Sequence, residues 1–574
     1  MKNLLNWFPV YKQLRAYSRA KAIADLNAAV VVSVMLIPQS LAYAMLAGLP
    51  PHLGLYASVV PIVVYSLLGS STALAVGPVA IGSIMTATTL ATVTSQGLIN
   101  YIDGAIVLAL LSGLFMFILG LLRFGFVANF LSHSVINGFI TASGIIIAVS
   151  QIKHLLGVKV SGHAFFDILN QLYHSLTQIN FITLALGGGA LIYLIIARKY
   201  AAFFLVKLGV NQSLAAVLAK MAPVLGVMLT TLIVAGCSLN SQDVAIVGEI
   251  PKGIANFGLP DVTLDAIQAL ILPAIFISLI GYVESISVGR TLAAKRNQKI
   301  DSNQELIGLG SANIASGLAG AFPITGGFSR SVVNFDAGAE TQVAGLFTAV
   351  GIALAALFLT PYLYYLPIAM LASTIIIAVL SLVDFSVLKH AWKFSKSDFY
   401  SVMSTILITL AFGVEVGVAT GIIVSIALYL YKTSRPHIAQ IGLIRGTEHF
   451  RNIKHFEVEV HPHVISLRID ESLIFSNAIY LENHILDLVN KSLETKHLIL
   501  HLGAVNSVDL TGMEMLEDIN TQLKNKGILL HLSDVKIPIK KLLRKSGFLD
   551  LLTGDLFLSH YQAYQKVSSL SNAI

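Results

Sequence analysis

Two segments about 250 residues apart share an unusual design: Ala75-Val76-Gly77-Pro78-Val79-Ala80-Ile81-Gly82 and Pro323-Ile324-Thr325-Gly326-Gly327-Phe328-Ser329-Arg330. Each breaks an apolar stretch with Gly and Pro, and a fresh apolar stretch follows. Paired interruptions in corresponding positions of two halves point to a transporter's midplane binding site. Two helix N-termini would face each other there, each carrying roughly +0.5 charge on N–H groups without intrahelical partners. Arg330 lies beside the second break, so such a site should hold an anion. An arginine near the bilayer centre costs at least ~2.5 kcal/mol and stays charged, so it needs a counter-charge or water. A bound oxyanion in a cavity supplies both, with Ser329 as a hydroxyl donor. A fixed ion pair between Arg330 and Glu284 is the alternative.

Other residues cluster around this chemistry. Gln39 and Tyr43, four apart beside Pro38, share one helix face and are expected to line the cavity. The plainer alternative is that Gln39 bonds a carbonyl freed by Pro38 while Tyr43 packs. Gly77 allows close backbone approach, and Pro78 suits the first turn of a helix, where its missing N–H had no partner; a simple kink would also use both. Glu284 is the main carboxylate of the second half to fall in an apolar stretch. Charge is costly there, which makes it a candidate proton carrier. Ser302-Asn303-Gln304-Glu305 has capping-box spacing, which assigns Glu305 a structural role.

The elements that must position these residues are membrane-embedded. Of 574 residues 55% are hydrophobic and only 12% charged, and mean hydropathy is +0.78, outside the range of ordinary soluble proteins. Apolar stretches centre near residues 35, 60, 84, 113, 140, 188, 228, 276, 314, 333, 350, 375, 407 and 424, fourteen in all. An even count puts both termini on one side. Lys2, Lys12, Arg15, Arg19 and Lys21 make that side cytoplasmic, and the same residues argue against a cleaved leader. Loops assigned inside carry Arg123, Arg198, Lys199, Lys207, Arg290, Lys295, Arg296, Lys299, Lys389, Lys393 and Lys396; those outside carry only Lys153, Lys159 and Lys252. Fourteen divides into seven plus seven, and the breaks recur at the interval of the halves, so inverted repeats are expected. The fold expected is an all-α polytopic domain, with spans 3 and 10 as half-helices, plus a cytoplasmic α/β domain. Boundaries fall at 1–21 for a cytoplasmic segment, 22–433 for the transport domain, 434–444 for a linker and 445–574 for the soluble domain.

Ile37-Pro-Gln-Ser-Leu-Ala-Tyr43, Val76-Gly-Pro78, Asn303-Gln-Glu-Leu-Ile-Gly308 and Gly326-Gly-Phe-Ser-Arg330-Ser-Val occur in order, and with them the chain resembles the sulfate permease (SulP) family of anion transporters. The resemblance implies a core-and-gate architecture, homodimers, and half-helices flanking the anion. It places Gln39 and Tyr43 on first-span cavity positions, Val79 beside the third-span half-helix, and Phe328, Ser329 and Arg330 at the tenth-span site. Sodium-coupled bicarbonate members look similar but carry Asp where this chain has Glu284, with a hydroxyl residue one turn later, where Val288 stands. That departure favours the proton-coupled members. The tail resembles a STAS domain: Val464–Arg468, His497–His501 and Gly527–His531 read as strands, Ala478–Leu488 and Gly512–Lys524 as helices. Thr511, in Ser507-Val508-Asp509-Leu510-Thr511-Gly512, matches the residue phosphorylated in soluble STAS proteins. Alternatively, Asp509 or Thr511 simply caps the following helix.

These readings give a secondary active transporter importing a small oxyanion with protons. Sulfate leads; a C4-dicarboxylate such as succinate or fumarate, or bicarbonate, follows. Competing classes are a nucleobase transporter, which would lack an equivalent of Arg330 beside a Ser, an uncoupled channel or exchanger, and a non-transporting sensor. No P-loop, catalytic triad or metal cluster is evident, so neither an enzyme nor a cofactor is expected. The single Cys237 excludes an intramolecular disulfide. A net charge of +7 resides between spans, without the aromatic interleaving of a nucleic-acid surface. The partners expected are the anion, protons, membrane lipid, a second copy and a cytoplasmic partner of the STAS domain, in a cell membrane of bacterial inner-membrane type.

Overall fold

The computed structural model describes the chain apart from residues 1–7, 16, 131–132, 161–164, 213–214, 216–218, 220, 252, 254, 256, 259, 381–382, 493 and 573–574. Lys2 and Lys252 of the charge argument lie outside the described residues. The chain divides into two units, Met1–Val424 and Ser425–Ile574.

In the first unit each of the fourteen apolar centres falls within a helix. Six helices among the described residues are long and apolar enough to cross a membrane: Arg19–Leu46, Tyr101–Leu121, Ser134–Leu156, Phe181–Lys207, Leu264–Lys295 and Val416–Ser434. Others are shorter, and the two that follow the Gly/Pro breaks, Ala80–Ser95 and Phe328–Asp336, are among them. Short polar residues set helix starts. Ser18, Asn100, Asn180 and Thr263 each accept from a backbone N–H of the first turn.

Helices Tyr101–Leu121 and Ser302–Leu318 pack backbone to backbone. A Cβ built on Gly113 would lie 2.7 Å from the Gly310 carbonyl oxygen, and one on Gly310 would lie 2.8 Å from that of Gly113. Small residues allow this approach where apolar side chains gain nothing over lipid.

Two expectations need correction. The unit is not wholly helical, because the two breaks pair as an antiparallel ladder of β1 (Val76–Gly77) and β2 (Thr325–Gly326). Glu305 does not close a capping box either. Asp301 caps its helix, accepting from Asn303 N and Gln304 N at 2.9 and 3.2 Å. Glu305, 1% exposed, instead accepts from Ser70 N, Ser70 Oγ and Ser71 N at 2.7, 2.7 and 2.9 Å, and from Tyr65 Oη at 2.8 Å. It therefore fixes the chain that leads into the first break.

The second unit holds a six-stranded sheet in the order β4-β3-β5-β6-β7-β8: β3 Ile438–Leu443, β4 Phe450–Asn452, β5 Val464–Ile469, β6 His497–His501, β7 Leu529–Ser533 and β8 Leu556–Phe557. β5 through β8 run parallel, and β3 is antiparallel to both β4 and β5. Strand alternation divides the core. Ile465, Leu467, Ile469, Leu498 and Leu500 join one cluster with Leu481, Ile485, Leu516 and Leu523 of helices Ala478–Lys491 and Leu510–Asn525. Val464 and Ile499 face Ala563 and Val567 of helix His560–Asn572. Ile438–Leu443, assigned to a linker in the sequence reading, is thus a strand. β4 and β8 are too short to carry a periodicity, whereas the last helix carries one in Ala563, Tyr564, Val567 and Leu570 that went unread.

Candidate functional site

The β1–β2 ladder brings the two breaks together with Val76 opposite Gly326 and Gly77 opposite Thr325. Gly327 N donates to the Ala75 carbonyl at 3.1 Å and extends the pairing. Helix Ala80–Ser95 leaves one end of this ladder with Val79 as N-cap residue, and Phe328–Asp336 leaves the other with Gly327 in that role. Both cap residues are extended, and no side chain caps either helix. First-turn N–H groups of both helices are therefore left to other acceptors. Pro78 does not occupy the first helical position, as its type suggests. Val76 and Gly77 pair with β2 and Val79 is the extended N-cap residue, so the helix starts at Ala80, two residues after Pro78.

Arg330 joins the two breaks. Its side chain starts from the second helix, yet a Cβ on Gly77 would lie 2.9 Å from its Nη1, and one on Gly327 would lie 2.9 Å from Nη2. Gly77 has φ +149°, a conformation L side chains rarely adopt, so glycine is required there twice over. Arg330 is 2% exposed, and Nη1 and Nη2 have no hydrogen-bond partner. It makes no ion pair with Glu284 among the described residues, so the alternative of a fixed pair does not hold in this conformation.

Arg330 lines a small cavity. Gln39, Tyr43, Val79, Glu284, Phe328, Ser329 and Arg330 all line it. Gly77 and Pro78 are not among the lining residues; Gly77 lies against Arg330 Nη1. Helix Arg19–Leu46 carries Gln39 and Tyr43 on the cavity side, both 8% exposed. Leu264–Lys295 carries Glu284, whose Oε2 is buried without a partner. Ala378 and Val379 of helix Ile368–Leu380 complete the wall.

Several residues that hold the breaks escaped the sequence reading. Ser331 Oγ accepts from Ala75 N at 2.9 Å and donates to the Gly327 carbonyl at 2.7 Å. Ser285 Oγ accepts from Gly326 N at 2.8 Å. Asn313 grips Ile324, donating to its carbonyl and accepting from its N–H, each at 2.9 Å. Asn334 Nδ2 donates to the Ala73 carbonyl at 3.1 Å. A buried amide inside an apolar helix, as at Asn313, was the available signal.

In the second unit, Asp509 caps helix Leu510–Asn525, accepting from Gly512 N at 2.8 Å and, through its other oxygen, from Phe475 N at 2.7 Å. Thr511 is exposed in the first turn of that helix.

Fold and site together define a polytopic helical membrane protein built around a cationic cavity at paired helix N-termini, with an appended α/β unit. Residues 23–405 match the sulfate permease family and residues 455–563 the STAS domain, and the chain belongs to the sulfate permease family. Sulfate transporter 4.1, chloroplastic, of Arabidopsis thaliana is 34% identical over 96% of this chain and 82% of its own. A probable sulfate transporter of Mycobacterium tuberculosis is 31% identical over 96% of both chains. Among solved structures, the murine anion transporter Slc26a9 in its inward-facing state superposes with TM-score 0.90 at 24% identity, covering 99% of this chain and 95% of that one. The transmembrane domain of the cyanobacterial bicarbonate transporter BicA aligns with TM-score 0.60 at 21% identity, covering 71% of this chain and 98% of that one. Both structural likenesses concern the fold.

Proposed function

We propose that this protein is a secondary active transporter that imports sulfate by proton symport, with alternating access. The observation that carries the reading is Arg330: a buried guanidinium with two unpartnered Nη groups, set between two uncapped helix N-termini and lining a small cavity. A tetrahedral oxyanion matches it well, because its oxygens accept charge-assisted bonds from the guanidinium and from the N–H groups of both helices at once. Ser329 adds a hydroxyl, and Gln39 and Tyr43 add neutral polar groups. The names of the relatives that match 96% of the chain support sulfate over the other oxyanions.

Glu284 would couple the cycle. An ionised carboxylate in the same cavity repels an anion, whereas a protonated one does not, so proton and anion load together and leave together. In this reading fourteen spans form two inverted repeats of seven, the unit at 22–433 transports, and the N-terminus and STAS domain lie in the cytoplasm. The protein works as a homodimer, and Thr511 is a site where phosphorylation adjusts activity.

The test is uptake of radiolabelled sulfate into proteoliposomes under an inward proton gradient, with Arg330→Ala alongside. Accumulation above equilibrium that the variant loses supports the reading. Equilibration without accumulation would make the protein a channel or exchanger. Absence of sulfate flux, with flux of succinate, fumarate or bicarbonate, would keep the site and change the substrate.

A further inference from the structure

The stretch Asp384-Phe385-Ser386-Val387-Leu388-Lys389-His390-Ala391-Trp392-Lys393-Phe394-Ser395-Lys396 forms a short helix, Ser386–Phe394, between the apolar helices Ile368–Leu380 and Lys396–Phe412. Its inner face is small and apolar. Val387 and Leu388 pack against Ala142, Val402 and Ile406, and Ala391 is buried. Its outer face mixes two residue types that rarely share a solvated surface. Phe385, Trp392 and Phe394 are 56%, 53% and 93% exposed, and Lys389, Lys393 and Lys396 are exposed between them.

The acidic residues nearby do not neutralise these lysines. Asp384 accepts from Ser386 N at 2.8 Å and Asp398 lies in the first turn of the next helix. None of the three lysines forms an ion pair among the described residues. The tryptophan is held in place rather than loose: Phe399 meets it edge to face at 4.8 Å, and Lys396 Nζ sits 5.9 Å over its ring. A second amphipathic helix, Phe165–Ser175, also exposes aromatics, Phe166 at 61% and Tyr173 at 72%, yet contains Asp167 and no Lys or Arg. Exposed aromatics are common to both helices, whereas the lysines distinguish one.

We propose that the outer face of Ser386–Phe394 is a docking surface for anionic lipid headgroups. A helix joining two spans lies at the bilayer boundary, where Trp and Phe bury into the interface and Lys extends its stem over them toward phosphate. Each lysine near an anionic surface contributes about 1 kcal/mol of attraction, a factor of about five, so three select anionic over zwitterionic lipid strongly at low salt. The inference is independent of what the cavity carries.

Trp392 is itself the reporter, since the chain's only other tryptophan is Trp7. The full chain with Trp7→Phe is placed in phosphatidylcholine nanodiscs containing an equal small mole fraction of brominated-acyl phosphatidylglycerol or brominated-acyl phosphatidylcholine. Quenching of Trp392 by the brominated phosphatidylglycerol should exceed that by the brominated phosphatidylcholine severalfold, and the excess should shrink as salt rises. The triple variant Lys389→Gln, Lys393→Gln, Lys396→Gln should abolish the excess while leaving quenching by phosphatidylcholine in place, which also shows that the helix still sits at the bilayer. Equal quenching by the two lipids in the lysine-bearing chain would overturn the proposal. So would quenching by neither, or a preference that survives the triple substitution.

Discussion

Gly77→Ala isolates the contact on which the site depends. The methyl meets two obstacles. At φ +149° an L residue is strained, at about 1–3 kcal/mol. The new Cβ would also stand 2.9 Å from Arg330 Nη1, so the guanidinium must retreat about 0.5 Å to reach ordinary contact distance. Charge-assisted hydrogen bonds contribute about 1.5–3 kcal/mol each, and misplacing one of those to the anion should raise the KM for sulfate by about 10- to 100-fold. Gly97→Ala provides the control, because Gly97 has φ +71° with nothing within 4 Å of its Cβ position. Backbone strain should lower the thermal stability of both variants, and more for Gly77→Ala, whose φ lies outside the left-handed helical region. Only Gly77→Ala should raise KM, measured as initial uptake into proteoliposomes at fixed proton gradient. If both variants retain the wild-type KM, Arg330 does not bind the anion in the position described.

Other perturbations separate coupling, scaffold and the second unit. Glu284→Gln should abolish gradient-driven accumulation while sulfate counterflow persists; accumulation in the variant would remove Glu284 from the proton path. Glu305→Ala strips four donors of a buried acceptor and should cost at least about 3 kcal/mol, read as earlier loss of the monodisperse peak on heating in detergent; an unchanged transition would mean that water replaces the carboxylate. In the second unit, burial lowers His531 to about 4, with His497 adding to the effect, and burial lowers His560 to about 3. A His held neutral by the fold contributes stability that is complete above its unfolded value of 6.5 and is lost as pH falls toward the folded value. Hydrogen exchange of peptides spanning β6 and β7 in the full chain, corrected for intrinsic rates, should therefore lose protection between pH 6.5 and about 4. For His531 alone the loss amounts to about 3 kcal/mol at the lower end. Protection that is constant across that window would refute it.

What could be read from sequence follows from how local each signal is. The breaks were visible because Gly and Pro interrupt hydrocarbon-compatible runs, and Arg330 was visible because a charge there needs a reason. Their meeting as a ladder was not. Strands of two residues have no periodicity, and the bonds that fix them join positions far apart, as Asn334 to Ala73 and Ser331 to Ala75. Ser and Asn on apolar helices look alike whether they bond their own helix or a distant backbone. Pro78 and Glu305 were misread for one reason: local propensity favoured a helix start in each case, and a tertiary contact overrode it. Val76 and Gly77, just before Pro78, are engaged in pairing with β2, and Tyr65 with Ser70 and Ser71 draws Glu305 away from its own N-terminus. In the second unit, β5, β6 and β7 were legible as apolar strands, whereas β3 was lost because its burial alternates too briefly.

The distribution of polar groups around the cavity bears on how access could alternate. Every residue that offers a hydrogen bond or a charge to the cavity comes from the first helix, the two breaks or the Glu284 helix. The two breaks and the Glu284 helix are tied together through the ladder, Ser285 and Ser331. The wall contributed by Ile368–Leu380 is only Ala378 and Val379. Ala378 and Val379 offer the cavity no polar side-chain group, whereas separating the two breaks would cost the ladder and strand Arg330. In the cycle proposed above, the two breaks would therefore move as one element, keeping Arg330 and both helix N-termini together.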